Sequence, residues 1–175
     1  MPASDLLAHP SFRSFVAAGA AWRSNLASAT AVVDAAVALL LDDLDRPAVV
    51  QLAGLGRAEA DTGVPDLIEA AAAELGFDLL RYGDELNDLL AAASLAQGYL
   101  RGNLEPVELT ERIHSRFGHA CDPLIEELSV LDDHYDTLEL TPNPTREQLD
   151  RRTHAAATAL VAGADEQLRS RRLDD

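Results

Sequence analysis

The residues best suited to metal binding or proton transfer are concentrated in one stretch, 96–136. His114, His119 and the only cysteine, Cys121, lie within eight positions, and the run LDDHYD follows about one helix length later. Imidazole nitrogens, a thiolate and carboxylate oxygens are the ligands that zinc takes from proteins. If two helices pair across this stretch, these groups come together.

The spacing of these groups does not follow a known zinc motif. His114 and His119 are five residues apart and straddle a predicted helix end, so they do not share one helix face as the histidines of HExxH do. No CxxC pair is present. We therefore expect no metal and no cofactor, and keep as the alternative ligand set His114, His119, Cys121 and His134.

Enzyme chemistry has few other candidates in the chain. GxSxG, P-loop and GxGxxG motifs are absent. Carboxylates three residues apart on two predicted helices would suit magnesium, and they include Glu69, Glu85 and Asp88. The sequence therefore leaves catalytic activity open and favours a protein that is not an enzyme. The enzyme alternative is a metal-dependent hydrolase that uses these carboxylates or the histidine cluster.

The charge of the chain excludes some partners. The net charge is −16, all 14 basic residues are arginine, and residues 61–90 and 121–150 hold nearly all of the excess. Phosphate groups would be repelled, so we expect neither nucleic acid nor a membrane surface as a partner. A basic protein is the partner that such a surface favours. The binding residues that we predict are Asp122, Glu126, Asp132, Asp133, Asp136, Arg112 and Arg116.

Composition and periodicity predict the elements that carry these residues. Hydrophobic residues make up 47% of the 175 positions, aromatic residues only 5%, and alanine runs recur. Because alanine favours helices, we expect an all-α single domain of six or seven helices. It covers 1–163, and two sub-halves, 1–76 and 84–163, with a hinge at 77–83 between them, are an alternative description. A frayed or disordered tail is expected over 164–175.

Prolines, glycines and capping residues predict where the helices begin and end. The nearly all-apolar segment 26–41 is expected to be a central helix. A loop is predicted over 57–63, with the next helix beginning at Pro65, and 137–140 is predicted to be extended. Asp122 and Thr145 are expected to cap helix N-termini, the latter in a capping box with Gln148.

The single cysteine and the N-terminus bear on location. One cysteine cannot form an intramolecular disulfide, which fits a reducing compartment. The first ten residues lack the features of a signal peptide, and the most apolar window, 27–41, is too short to cross a bilayer. We expect a cytoplasmic protein, with a structural homo-oligomer as a further alternative.

The segment YLRGNLEPVELTERIHSRFG resembles the helix, glycine turn and helix of small acidic immunity proteins of the colicin D type. With LDDHYD, the region 96–140 is also similar to uncharacterised helical proteins of high-GC bacteria. The first resemblance implies an inhibitor that binds a basic nuclease toxin through carboxylates. The matching positions are mainly those that a fold needs: Gly102, Leu104, Glu108, Leu109 and Phe117.

Overall fold

A computed structural model describes residue 6 and residues 9–77, 84–119, 121–140 and 143–170. In these residues the chain forms eight α-helices and no strand, so the all-α prediction is confirmed with a helix count slightly above six or seven. The helices are α1 Pro10–Arg23, α2 Ala29–Leu41, α3 Pro47–Ala53, α4 Ala60–Glu74, α5 Asp84–Leu100, α6 Pro106–Phe117, α7 Pro123–Asp136 and α8 Arg146–Ser170.

Helix α5 occupies the centre of the molecule. It packs against α1 on one side and α8 on the other, and its leucines and alanines are buried. Helices α2, α3 and α4 pack together beside α1, while α6 and α7 pair with each other and α7 also packs on α8. One continuous hydrophobic core runs through both halves. The predicted hinge, 77–83, lies outside the described residues apart from Phe77, which is buried against Phe12.

The apolar segment 26–41 is not the central helix that its composition predicts. Asn25 takes a positive φ of 57°, and the turn that it makes delays the start of α2 to Ala29. Leu26 is buried in that turn. One face of α2 is exposed, because Leu41 keeps 81% of its surface and Val37 keeps 39%. The uniform apolarity of this helix therefore reflects alanine and valine content rather than burial on all sides.

Helix α4 begins earlier than the sequence predicts. The predicted loop 57–63 is helical from Ala60 onward, and Pro65 lies inside the helix. Ala60 and Val64 are fully buried, so the added turn contributes to the core. Burial of these small side chains outweighs the one backbone hydrogen bond that a proline removes near a helix start.

The predicted caps of the C-terminal helices are confirmed. The Asp122 carboxylate accepts a hydrogen bond from the Leu124 N–H at 2.8 Å. The Gln148 side chain accepts one from the Thr145 N–H at 2.8 Å, and the Thr145 hydroxyl accepts one from the Gln148 N–H at 3.3 Å. Each cap satisfies an N–H that a helix terminus leaves unpaired. These caps set the start of α7 and α8.

Two predictions for the end of the chain are wrong. Residues 137–140 form turns rather than an extended segment. The predicted tail is helical as far as Ser170, because Ala164 and Leu168 are buried and Asp165 pairs with Arg13 at 3.3 Å. Residues 171–175 lie outside the described part. Across the described residues, no helix combines the length and apolarity needed to cross a membrane.

Candidate functional site

Helices α6 and α7 form an antiparallel pair that carries the chemistry-bearing residues. Helix α6 ends at Gly118, whose φ of 64° suits glycine and turns the chain back. His114 lies in the last turn of α6, and His119 lies just beyond the glycine. Thr110 contacts Asp132, and His119 contacts Glu126, which fixes the register of the pair.

The His114 ring is held by a buried carboxylate, that of Asp132. Its Nδ1 lies 2.9 Å from Oδ2 of Asp132. Asp132 is buried, and its second oxygen accepts a hydrogen bond from the hydroxyl of the fully buried Thr110 at 3.1 Å. Since a carboxylate only accepts, Nδ1 carries the proton, and Nε2 is the nitrogen left for another partner. The chain Thr110–Asp132–His114 therefore fixes the orientation of the ring.

His119 lies between two carboxylates of α7. Its Nδ1 is 3.0 Å from Oε1 of Glu126, and its Nε2 is 3.2 Å from Oδ2 of Asp133. Glu126 and Asp133 are seven residues apart, so they lie on the same face of α7 two turns from each other. The centroids of the His119 and His114 rings are 4.6 Å apart. The two histidines therefore share one surface site.

Three potential metal ligands converge in this site. One ligand atom from each of His114, His119 and Asp133 lies within 4.8 Å of the other two, and among the described residues these three form the group that could hold an ion. The side chains of His119 and Asp133 are 44% and 52% exposed, whereas that of His114 is 28% exposed. The site thus has one half-buried group, His114, and two more exposed groups that pair with each other, His119 and Asp133.

The other two predicted metal ligands lie apart from this group. The Cys121 sulfur is 3.8 Å from Oε2 of Glu126, and partial burial and the Glu126 charge raise the pKa of the thiol. A neutral thiol is a poor ligand and nucleophile. His134 is in the last turn of α7 but does not join the converging atoms.

Most of the predicted binding carboxylates already have partners inside the protein. Asp122 caps α7, Asp132 is buried against Thr110, and Glu126 and Asp133 hold His119. Asp136 is exposed at the end of α7. Their role in binding another protein stays a prediction.

The two predicted binding arginines hold the connection between α1 and α2. The guanidinium of Arg112 donates to the Leu26 carbonyl at 2.6 Å, and that of Arg116 donates to the Ser24 carbonyl at 2.9 Å. Both line a groove of about 710 Å³ that also contains Glu108. These bonds satisfy carbonyls in the turn that separates the two helices.

The acidic surface of α4 differs from that of α7. Asp61, Asp66 and Glu69 are exposed and, within the described part of the chain, have no ion pair. In α7, by contrast, Glu127 pairs with Arg152 at 3.1 Å. We name Asp61, Asp66 and Glu69 the α4 acidic face. Within the described residues, none of its three carboxylates forms an ion pair with an arginine.

A pocket adjoins the α4 acidic face. It has a volume of about 430 Å³, and Trp22, Arg23, Pro65, Ile68 and Glu69 contribute to its lining. Trp22, the only tryptophan, is half-buried, so part of its ring faces the pocket. The sequence does not predict this pocket, because the approach of α4 to the end of α1 is a tertiary feature.

The carboxylates of the hydrolase alternative do not come together. Glu69 is on α4, which packs on α2 and α3, whereas Glu85 and Asp88 are on α5, which packs on α1 and α8. Among the described residues, these three do not form a converging group. The sequence did not predict Thr110 as a supporting residue, and the only sequence signal for it is a polar position one turn before His114.

A comparison with protein-family models, curated proteins and solved structures returns no match for this chain.

Proposed function

We propose that this protein is a cytoplasmic binding module that recognises a basic protein through the α4 acidic face (Asp61, Asp66 and Glu69). The observation that carries the proposal is the contrast between this face, which has no ion pairs in the described part of the chain, and α7, whose carboxylates are largely used internally. A surface of unpaired charge of one sign attracts and orients partners of the other sign.

The pocket beside the face supplies a second recognition element. An arginine or lysine of the partner would place its cation over the half-buried ring of Trp22 while its charge meets Glu69. Cation–π contact and ion pairing act together in such an arrangement, and tryptophan is enriched among residues that dominate interface energetics. The partner is therefore expected to present a basic side chain at the centre of its contact surface.

Trp22 fluorescence tests this proposal directly. Titration with a nine-residue arginine peptide is expected to change the emission of Trp22 in a saturable way, and added salt should weaken the binding. The triple variant D61N/D66N/E69Q should bind about tenfold more weakly, because three exposed charge pairs of about 0.5 kcal/mol each sum to that factor.

A matched control is available in the same chain. E127Q/E147Q/E166Q removes the same charge from exposed carboxylates that already pair with arginines, at Arg152, Arg151 and Arg169. It should bind the peptide nearly as well as the unsubstituted protein. Equal loss in both triple variants would mean that only net charge matters, and would reject the α4 acidic face as the site.

The more specific form of the proposal is an immunity-like inhibitor of a basic nuclease, which the resemblance of 96–140 implies. Co-expression with the products of adjacent genes, scored by growth, tests it. The immunity-like function is supported if the protein rescues growth from a toxic product and D61N/D66N/E69Q does not.

The remaining alternative is a structural homo-oligomer. Light scattering on the purified chain decides this, since a stable oligomer that persists at low protein concentration would favour that alternative.

A further inference from the structure

We infer that His114, His119 and Asp133 form a binding site for zinc or a chemically similar divalent transition-metal ion at the surface between α6 and α7. This inference is independent of the proposed recognition of a basic protein, because it concerns a different pair of helices and none of the residues of the α4 acidic face. It rests on three features of the site: its donor set, its geometry and the residues that support it.

The donor set matches the preference of zinc. Two imidazole nitrogens and one carboxylate oxygen bind zinc in many proteins and leave a fourth position for water. Magnesium and calcium prefer sites made of oxygen atoms alone. The acidic character of α7 adds attraction for any cation, but the imidazoles favour a transition metal. Asp133 contributes the negative charge that a divalent ion needs.

The geometry requires only small adjustments. The three ligand atoms lie within 4.8 Å of one another. In a tetrahedral zinc site, with bonds of about 2.0–2.1 Å, neighbouring ligand atoms are about 3.3 Å apart. The two exposed ligands, His119 and Asp133, can close this difference by side-chain rotation while His114 stays in place. The ion would then lie between Nε2 of His119 and Oδ2 of Asp133, which are 3.2 Å apart.

Both histidines have the supporting contacts that metal-binding histidines have in known sites. Such a histidine binds the ion through one nitrogen and donates a hydrogen bond from the other to a carboxylate. Nδ1 of His119 faces Glu126, which leaves its Nε2, 3.2 Å from Oδ2 of Asp133, for the ion. Nδ1 of His114 faces Asp132 and also lies 3.7 Å from Oδ1 of Asp133, and Nε2 is the ring nitrogen that Asp132 does not hold. Asp132 is itself held by the buried Thr110. A solvated pair of histidines would not require this buried chain.

Zinc titration of the full chain tests the inference, with Co²⁺ absorption as a readout of ligand geometry. We expect one ion per chain and tetrahedral Co²⁺ bands that zinc displaces. Magnesium and calcium should not compete. H119Q and D133N should weaken zinc binding more than E126Q, for which about a tenfold loss is expected because Glu126 only supports a ligand.

Control variants separate this site from general attraction of cations. H134Q removes a histidine from α7 outside the cluster, and C121S removes the thiol, so both should keep the affinity of the unsubstituted chain. His119 is exposed, so H119Q is expected to fold, and circular dichroism checks this. The inference is overturned if H119Q binds zinc normally, if C121S abolishes binding, if calcium competes equally, or if no saturable binding occurs.

Discussion

Neighbouring carboxylates of the same type have different roles in this protein. Asp132 and Asp133 are adjacent in sequence, yet one is buried beneath His114 and the other is half-exposed beside His119. Helix geometry separates them, because consecutive residues point about 100° apart around the axis. The residue type alone therefore predicted both as binding residues, whereas their positions on α7 distinguish a supporting carboxylate from a ligand.

Among single residues, Tyr135 makes the free energy of unfolding depend on pH in the alkaline range. Its hydroxyl donates to Oδ1 of Asp150 at 2.7 Å, and burial, together with Asp150, raises the pKa of the phenol well above its usual value near 10. Above pH 10 the unfolded chain loses this proton while the folded chain keeps it. The unfolded state then binds fewer protons, so the free energy of unfolding falls as pH rises.

The variant Y135F checks this expectation. At pH 7 it should lower the free energy of unfolding by about 1 kcal/mol through the lost hydrogen bond. Between pH 9 and pH 11 its stability should fall less steeply than that of the unsubstituted protein. Urea unfolding at pH 7, 9 and 11 measures both effects. Tyr99, whose pKa burial also raises, leaves part of the pH dependence in place. Parallel stability curves for the two proteins would contradict the role of Tyr135.

At the scale of elements, two glycines inside helices differ in the space that surrounds them. A Cβ at Gly98 in α5 would meet only a Leu104 carbon at 3.8 Å, which is ordinary contact. A Cβ at Gly163 in α8 would overlap the side chain of Leu124 on α7. Gly163 thus lets α7 and α8 approach closely, while Gly98 has no such role.

The pair G98A and G163A tests this difference in packing. G98A should raise the free energy of unfolding by about 0.5–1 kcal/mol, since alanine is the better helix former. G163A gains the same helix propensity but must move the Cδ1 methyl of Leu124, the end of a flexible side chain, and this movement offsets part of the gain. Urea unfolding should therefore rank G98A above G163A. Equal stabilisation by both substitutions would show that Leu124 moves aside freely.

Local sequence signals predicted most of the helices. They did not predict which helices pack against one another. Proline, aspartate and the Thr145–Gln148 box indicated the starts of α7 and α8, because capping depends on residues close in sequence. The extension of α8 past Gly163 was missed, since Ala164 and Leu168 become core positions only when α8 packs against α5. The sequence predicted His114 and His119 as alternative ligands, but it did not select Asp133 over Cys121 and His134, because that choice depends on how α6 pairs with α7.

At the scale of the whole molecule, the net charge of −16 acts against folding. Carboxylates without ion pairs, such as those of the α4 acidic face, repel one another, and salt screens this repulsion. We therefore expect the melting temperature to rise between 20 and 300 mM NaCl. D61N/D66N/E69Q should melt about 2–4 °C higher at low salt, which corresponds to about 1 kcal/mol in a chain of this size, and should gain less from added salt.

The variant E127Q/E147Q/E166Q serves as the control for this expectation. It removes the same charge but also three contacts with arginines, so its melting temperature should rise less. Calorimetry over the salt series measures both variants. A melting temperature that falls with salt would mean that attractive pairs outweigh repulsion in this molecule.

The ion pair between Arg13 and Asp165 brings the beginning of the first described helix close to the end of the last, with 3.3 Å between the two charged groups. Residues near opposite ends of the described chain therefore lie side by side in space. This arrangement makes the described helices suitable for circular permutation, in which a linker joins α8 to α1 and new ends are cut elsewhere. The exposed turn at Gly56 and Arg57, between α3 and α4, is a suitable position for the cut.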